Sequence, residues 1–219
     1  LPAERCTTTG LPLRPDLRPG DPRAARRALG LAENDGTILV FGGSQGARAL
    51  NARWIDSLSR LRRPGENWQF IHLTGPQDEA AVRAAYERDG RRAFVRAFHA
   101  DMATVYSAAD AVVGRAGANT VMEIYRMGKA ALLVPFPHAT SDHQTANALA
   151  LARGGAATVV AEGELTVDRL ADLVNAWPAL DDLRRANDAR LAAVPADFSR
   201  AAERLADLVE SAVGKEPAA

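Results

Sequence analysis

The chemistry in this chain starts with glycines set beside hydroxyl and amide side chains. In the stretch from Thr37 to Asn51 an apolar run, Ile38-Leu39-Val40-Phe41, breaks into Gly42-Gly43-Ser44-Gln45-Gly46, and a helical pattern begins at once. Strand, glycine turn, helix is an arrangement that aims backbone N–H groups and the positive end of a helix dipole at one spot, which suits a phosphate or diphosphate. A second stretch repeats the pattern: Ala111-Val112-Val113-Gly114 runs into Arg115-Ala116-Gly117-Ala118-Asn119-Thr120-Val121-Met122-Glu123. Small residues at Ala116, Gly117 and Ala118 let a ligand approach the backbone. Thr120 offers a hydroxyl in the first turn, and Glu123 lies three residues on, on the same helix face, with the reach to hold a ribose diol. Two such sites make a nucleotide-diphosphate reading stronger than one glycine motif would.

Other strand ends carry polar groups too. Pro135-Phe136-Pro137-His138 leads to a helix starting near Asp142, which puts His143 and Gln144 in its first turn. Gln144 is both donor and acceptor, as neutral sugar hydroxyls require. Phe98-His99-Ala100-Asp101-Met102 forms a further loop able to hold a base through its backbone. Each motif has a plainer reading. The glycines serve a turn with positive φ or close helix–strand packing, Asn119 or Thr120 caps a helix with Glu123 offsetting its dipole, and Ser141 or Asp142 and Asp101 are N-caps. Trp54, Trp68 and Trp177 read as packing residues.

Several classes are disfavoured. A dinucleotide-binding turn wants G-x-G-x-x-G and an acidic residue ending the next strand, but that strand ends His72-Leu73-Thr74. A P-loop wants Gly-Lys followed by Ser or Thr, which does not occur. The 219 residues carry 27 basic and 27 acidic side chains, a zero balance that argues against a nucleic-acid partner. Cys6 is the only cysteine, and His72, His99, His138 and His143 have no metal-ligand spacing. With no Asp-x-Asp pair either, a bound diphosphate would be neutralised by helix N-termini and a basic side chain, with no metal and no cofactor required. No apolar run approaches the roughly 20 residues that span a bilayer. The chain does not open on Met and reads as a fragment or an excised domain.

These residues need a scaffold that brings strand ends together. Apolar runs at Thr37–Phe41, Gln69–Leu73, Ala93–Phe98, Ala111–Gly114, Ala130–Pro135 and Ala156–Ala161 alternate with helical patterns near Ala47–Leu61, Gln77–Arg88, Met102–Ala108, Ala118–Met127 and His143–Arg153. Strand–helix alternation predicts an α/β fold, a doubly wound, Rossmann-like parallel sheet of about six strands with helices on both faces. Helical stretches near 166–177, 180–192 and 199–213 follow. Residues 1–21 read as an extended linker, 22–194 as the ligand-binding domain, and 195–219 as a C-terminal helix with a frayed tail.

The three motifs, in order and at similar spacing, resemble the C-terminal half of the MurG family. Thr9-Gly10-Leu11-Pro12-Leu13-Arg14 is similar to that family's lead-in segment, with Leu11 where the family usually has Asn. The resemblance implies a GT-B glycosyltransferase whose C-terminal domain binds UDP-N-acetylglucosamine (UDP-GlcNAc). Arg14, Ser44 and Thr120 would then serve the diphosphate, with Gly43, Gly46, Gly117 and Ala118 as backbone cradle and Gln45 and Asn119 as further substrate-binding residues. Glu123 would hold the ribose, the loop containing His99 the uracil, and Gln144 with His143 the sugar. His99 stands where an aliphatic residue is common. The resemblance further implies an inverting transfer of GlcNAc to an undecaprenyl-linked muramoyl-pentapeptide by a peripheral enzyme on the cytoplasmic face of the bacterial membrane. The acceptor domain and general base would lie outside this chain. The alternatives are the donor domain of another GT-B enzyme, such as a glycolipid synthase or a dolichol-linked GlcNAc transferase, and a non-catalytic nucleotide-sugar binding module.

Overall fold

Six apolar runs form one parallel sheet in the computed structural model, which describes residues 6–43, 46–62, 67–139, 142–195, 198 and 200–213. The strands are β1 (Gly36–Phe41), β2 (Trp68–Leu73), β3 (Ala93–Arg96), β4 (Ala111–Gly114), β5 (Ala130–Leu133) and β6 (Ala157–Val159). They lie in the order β3-β2-β1-β4-β5-β6, and every pair is parallel. β1 and β4 are buried along their whole length, as central strands covered on both faces must be.

Alternate residues of each strand feed two cores. Leu39, Phe41, Ile71 and Val112 face one side. There they meet Tyr106 of α4 (Met102–Ala108), Ile124 of α5 (Ala118–Arg126) and Leu151 of α6 (His143–Arg153). Ile38, Val40, Phe70 and Val113 face the other. That side holds Leu50 and Trp54 of α2 (Arg48–Ser57), Tyr86 of α3 (Glu79–Arg88) and Leu170 of α7 (Val167–Asn175). The doubly wound, Rossmann-like sheet expected from the alternating pattern is therefore the one present.

Element ends differ from the sequence pattern in ways that have causes. β5 stops at Leu133, although Val134 N–H still donates to Gly114 O at 2.8 Å; Pro135 has no N–H with which to continue. α2 closes with a 3-10 turn over Leu58–Arg60. One helix was not expected at all, α1 (Pro22–Ala28). Asp21 caps it by accepting from Arg23 N–H at 3.0 Å, and Pro22 opens it, a favoured start. Its seven residues bury only Ala25 and Arg26, so it shows no apolar period in sequence.

At the N-terminal edge of the sheet, Arg26 donates to both oxygens of Asp110 at 3.0 and 2.9 Å, and also to Ala108 O and Glu33 O. Arg184 of α8 (Leu180–Ala192) reaches the same carboxylate at 2.9 Å. α9 (Ala201–Val213) buries only Ala201 and leaves Leu205, Leu208, Val209 and Val213 exposed. Among the described residues, no helix is long and apolar enough to cross a membrane.

Candidate functional site

The strand order reverses between β1 and β4: from β1 the chain winds outward to β2 and β3, then returns to β4 and winds the other way. Ligands of doubly wound sheets bind at such a switch point, beyond the carboxyl ends of the strands. Phe41 is in register with Gly114, so both glycine stretches leave the same edge from neighbouring strands, about 4.8 Å apart. Gly43 has φ +87°, and a side chain there would meet nothing within 4 Å. Ser44 and Gln45 lie outside the described residues. Gly46 has φ +76°, and a Cβ on it would fall 2.3 Å from Thr74 O. Close packing against the turn after β2 is thus enough to require a glycine at 46.

That packing is fixed by a buried polar chain. Asn51 Nδ2 donates to Thr74 O and to Asp78, both at 2.8 Å, and Asn51 Oδ1 lies 3.0 Å from His72 Nε2. His72 Nδ1 lies 3.2 Å from the Tyr86 hydroxyl, which accepts from Trp54 Nε1 at 2.6 Å. Asn51 Oδ1 can only accept, so His72 carries its proton on Nε2, and its bare Nδ1 accepts from the Tyr86 hydroxyl. Complete burial pushes the His72 pKa down to about 3, so the ring is neutral.

On the β4 side, Gly117 is the N-cap of α5, and no side chain caps the helix. The plainer reading, in which Asn119 or Thr120 caps, is therefore not what occurs. The N–H groups of Ala118, Asn119 and Thr120 fall in the first turn, where intrahelical partners are lacking. A Cβ on Gly117 would meet only Thr120 Oγ1, at 3.9 Å, so the fold itself does not require a glycine there. Ala116 is fully buried below it.

Glu123 accepts from the Tyr106 hydroxyl at 3.0 Å through Oε2. Burial raises its carboxyl above the ordinary range, against the opposing effects of Tyr106 and the nearby Arg14 guanidinium. Arg14 donates to Ala100 O at 3.0 Å. The structure thus brings Arg14, the loop after β3 and Glu123 together. In that loop His99 stands edge-on to Phe94, and Phe98 is 65% exposed. Asp101 caps α4 as expected, accepting from Thr104 N–H at 3.0 Å and from its hydroxyl at 2.6 Å. Those bonds hold the Asp101 carboxyl below its usual range.

The first turns of α6 clamp the second cradle. Gln144 Oε1 accepts from Ala116 N–H at 3.2 Å and Phe136 N–H at 3.0 Å, while Asn147 Nδ2 donates to Ala116 O at 3.2 Å. The acceptor of Gln144 is thus committed to the protein, and Nε2 is the part of its amide not used in these bonds. His143 is exposed at the start of the helix. Asp142 sits at the N-cap position with φ +52° but makes no cap bond to the backbone; its carboxylate accepts from Thr145 Oγ1 at 2.7 Å instead. Ser141, the other expected cap, lies outside the described residues.

Five contributors escaped the sequence reading: Tyr106, Arg115 as an anchor, Phe136, Asn147 and Glu162. Arg115 is buried, donates to Val134 O and Pro135 O at 3.2 Å each, and pairs with Glu162. The exposed Phe136 ring lies over its guanidinium, 5.4 Å from ring centre to Cζ. Only Asn147 had a visible signal, its i, i+3 spacing from Gln144.

A cradle made from the ends of two adjacent strands, beside a carboxylate, invites comparison with nucleotide-sugar enzymes. The profile described as the glycosyltransferase family 28 C-terminal domain matches residues 37–208. The chain belongs to this family. It is 38% identical over 192 residues to the UDP-N-acetylglucosamine–N-acetylmuramyl-(pentapeptide) pyrophosphoryl-undecaprenol N-acetylglucosamine transferase of Syntrophus aciditrophicus, covering 88% of this chain and 52% of the relative. The protein of that name from Solibacter usitatus is 37% identical over 210 residues, covering 96% and 55%. Among solved structures, Acinetobacter baumannii MurG superposes with TM-score 0.72 at 32% identity, over 90% of this chain and 55% of that one. WaaG, a glycosyltransferase of lipopolysaccharide biosynthesis, superposes at TM-score 0.64 and 20% identity over 94% and 56%, a likeness of fold alone. The chain spans about half the length of the curated relatives it matches. The family 28 glycosyltransferase domain that it matches is the C-terminal one, in keeping with the resemblance drawn from the motifs.

Proposed function

We propose that this family 28 domain binds UDP-GlcNAc and serves as the donor half of an inverting GlcNAc transferase acting on a lipid-linked muramoyl-pentapeptide. The observation that carries the reading is the pair of glycine turns leaving β1 and β4 at the switch point, with Glu123 one turn into α5. The diphosphate lies across Gly43 to Gly46 and the first-turn N–H groups of Ala118 to Thr120, helped by Ser44, Gln45, Asn119 and the Thr120 hydroxyl. Arg14 adds a cation at the side where the loop after β3 takes the uracil, with His99 lining it. Glu123 receives the ribose hydroxyls. Gln144 donates Nε2 to the sugar, with His143 beside it.

In the reaction an acceptor hydroxyl attacks the anomeric carbon, the bond to the β-phosphate oxygen breaks, and UDP leaves with the electron pair. Charge then grows on the diphosphate. Backbone dipoles already oriented toward it stabilise that charge without reorganising, and in this reading neither a metal ion nor a cofactor is required. The general base and the acceptor site belong to the part of the relatives outside the match, as does contact with the inner face of the membrane.

Calorimetric titration of the full-length protein with UDP-GlcNAc, UDP-glucose and UDP-galactose tests the reading. UDP-GlcNAc binds tightest if it holds. A preference for UDP-galactose would replace it with a different donor specificity.

A further inference from the structure

We propose that Tyr106 is the positioning residue that turns Glu123 into a reader of ribose; this rests on the ribose role given to Glu123 above. Tyr106 is fully buried in the core beneath the site, its ring edge-on to Phe41 at the end of β1, with centroids 6.0 Å apart and planes at 86°. Its hydroxyl has one hydrogen-bond partner among the described residues, Glu123 Oε2 at 3.0 Å. A glutamate has three side-chain torsions, and on a helix surface several rotamers are open to it. The bond from a ring that cannot move selects one of them and assigns the two oxygens different tasks. Oε2 is held by the protein, and Oε1 is left for the 2′- and 3′-hydroxyls of a nucleoside.

The donor is dependable. Burial drives the phenol well above its ordinary pKa, and the adjacent carboxylate pushes it the same way, so the hydroxyl keeps its proton at any working pH. The two helices are also tied to each other here, α4 through Tyr106 and α5 through Glu123. The loop that would hold the base leads directly into α4. Base loop and ribose carboxylate are thereby fixed in one frame, with the Arg14 guanidinium bonded to Ala100 O at its rim.

The test compares UDP with 2′-deoxy-UDP, titrated calorimetrically into the full-length protein and its Tyr106→Phe, Glu123→Ala and doubly substituted forms. Tyr106→Phe removes one oxygen from a ring whose packing is otherwise kept. The expected result is about a tenfold loss of UDP affinity, the scale of one hydrogen bond, with a smaller loss for 2′-deoxy-UDP, which offers Oε1 only the 3′-hydroxyl. The preference for ribose then narrows. The double variant is expected to bind UDP no more weakly than Glu123→Ala alone, because both changes remove one device. Equal losses for both ligands, or an intact preference for UDP, in Tyr106→Phe would overturn the proposal while leaving the ribose role of Glu123 standing. An intact preference in Glu123→Ala, or no UDP binding by the unsubstituted protein, would overturn the ribose reading and this proposal with it.

Discussion

In the proposed site Gln144 and Glu123 each commit one oxygen to the protein and leave the other polar atom for the ligand, and that division makes their substitutions informative. Gln144 spends Oε1 on two backbone N–H groups, so Gln144→Glu keeps that acceptor and replaces the Nε2 donor with a charged oxygen. The expected outcome is a melting temperature close to that of the parent and a loss of UDP-GlcNAc affinity that exceeds the loss for UDP by about 1 kcal/mol or more, the added charge weakening both. Equal losses for the two ligands would remove Gln144 from the sugar site. Glu123 carries a carboxyl raised by burial, beside Tyr106 and Arg14. A raised carboxyl takes up its proton at a higher pH than an exposed one, and the neutral form is a poorer acceptor for ribose hydroxyls. UDP affinity is therefore expected to fall as pH drops toward and through that raised value. Glu123→Ala should weaken UDP by about 1–3 kcal/mol near neutrality and abolish this acid-side decline. Calorimetry across the acid range reads both.

Strands and turns were far more legible than the contacts that lock them. Continuous apolar runs such as Ile38 to Phe41 announce buried parallel strands, and glycine clusters mark where they end, so the sheet and the edge that gathers the motifs follow from pattern, while the strand order that puts β1 beside β4 does not. Chains of hydrogen bonds between distant elements leave no such period. The link from Trp54 on α2 through Tyr86 on α3 to His72 on β2, and back to Asn51 on α2, joins residues whose sequence spacing says nothing of their meeting. Its pH behaviour follows from the sign of the His72 shift. The folded-state pKa is about 3, against about 6.5 for the unfolded chain. Between those values the unfolded state binds more protons, so stability falls as pH falls below 6.5, by about 1.4 kcal/mol per pH unit from this group. Urea unfolding at pH 7 and pH 5 should show a loss in the parent that exceeds, by roughly 2 kcal/mol, the loss in a His72→Phe variant. Equal losses in the two proteins would mean that the ring is protonated in the folded state or exposed.

At the scale of the whole molecule, the two edges of the sheet do different work. The carboxyl edge carries the candidate site, while the opposite edge is tied by Asp110, which receives Arg26 from α1 and Arg184 from α8. Thr37 N–H also donates to it at 2.8 Å. These residues lie in four separate stretches of sequence, and neither charge balance nor motif spacing could have paired them. Arg26 and Asp110 have side chains only 3% and 5% exposed. Burial lowers the Arg26 pKa, and the attraction of Asp110 opposes that shift. Lys129, close by, is pushed down to about 8, chiefly by its own burial. Cations held this way are stable only while their partner is present. Asp110→Ala would leave Arg26 buried and uncompensated, at a cost of about 3–5 kcal/mol. For a chain of this size that corresponds to a fall in melting temperature of about 10 °C. Replacing both partners together, Arg26→Met with Asp110→Leu, should recover only part of the loss, because the apolar pair removes the buried Arg26 charge but leaves Thr37 N–H and Arg184 without their acceptor. Below their melting points, both variants should bind UDP-GlcNAc as the parent does, since the ion pair lies at the edge away from the cradles. A weakened affinity in the well-folded double variant would show that this edge sets the geometry of the site as well as its stability.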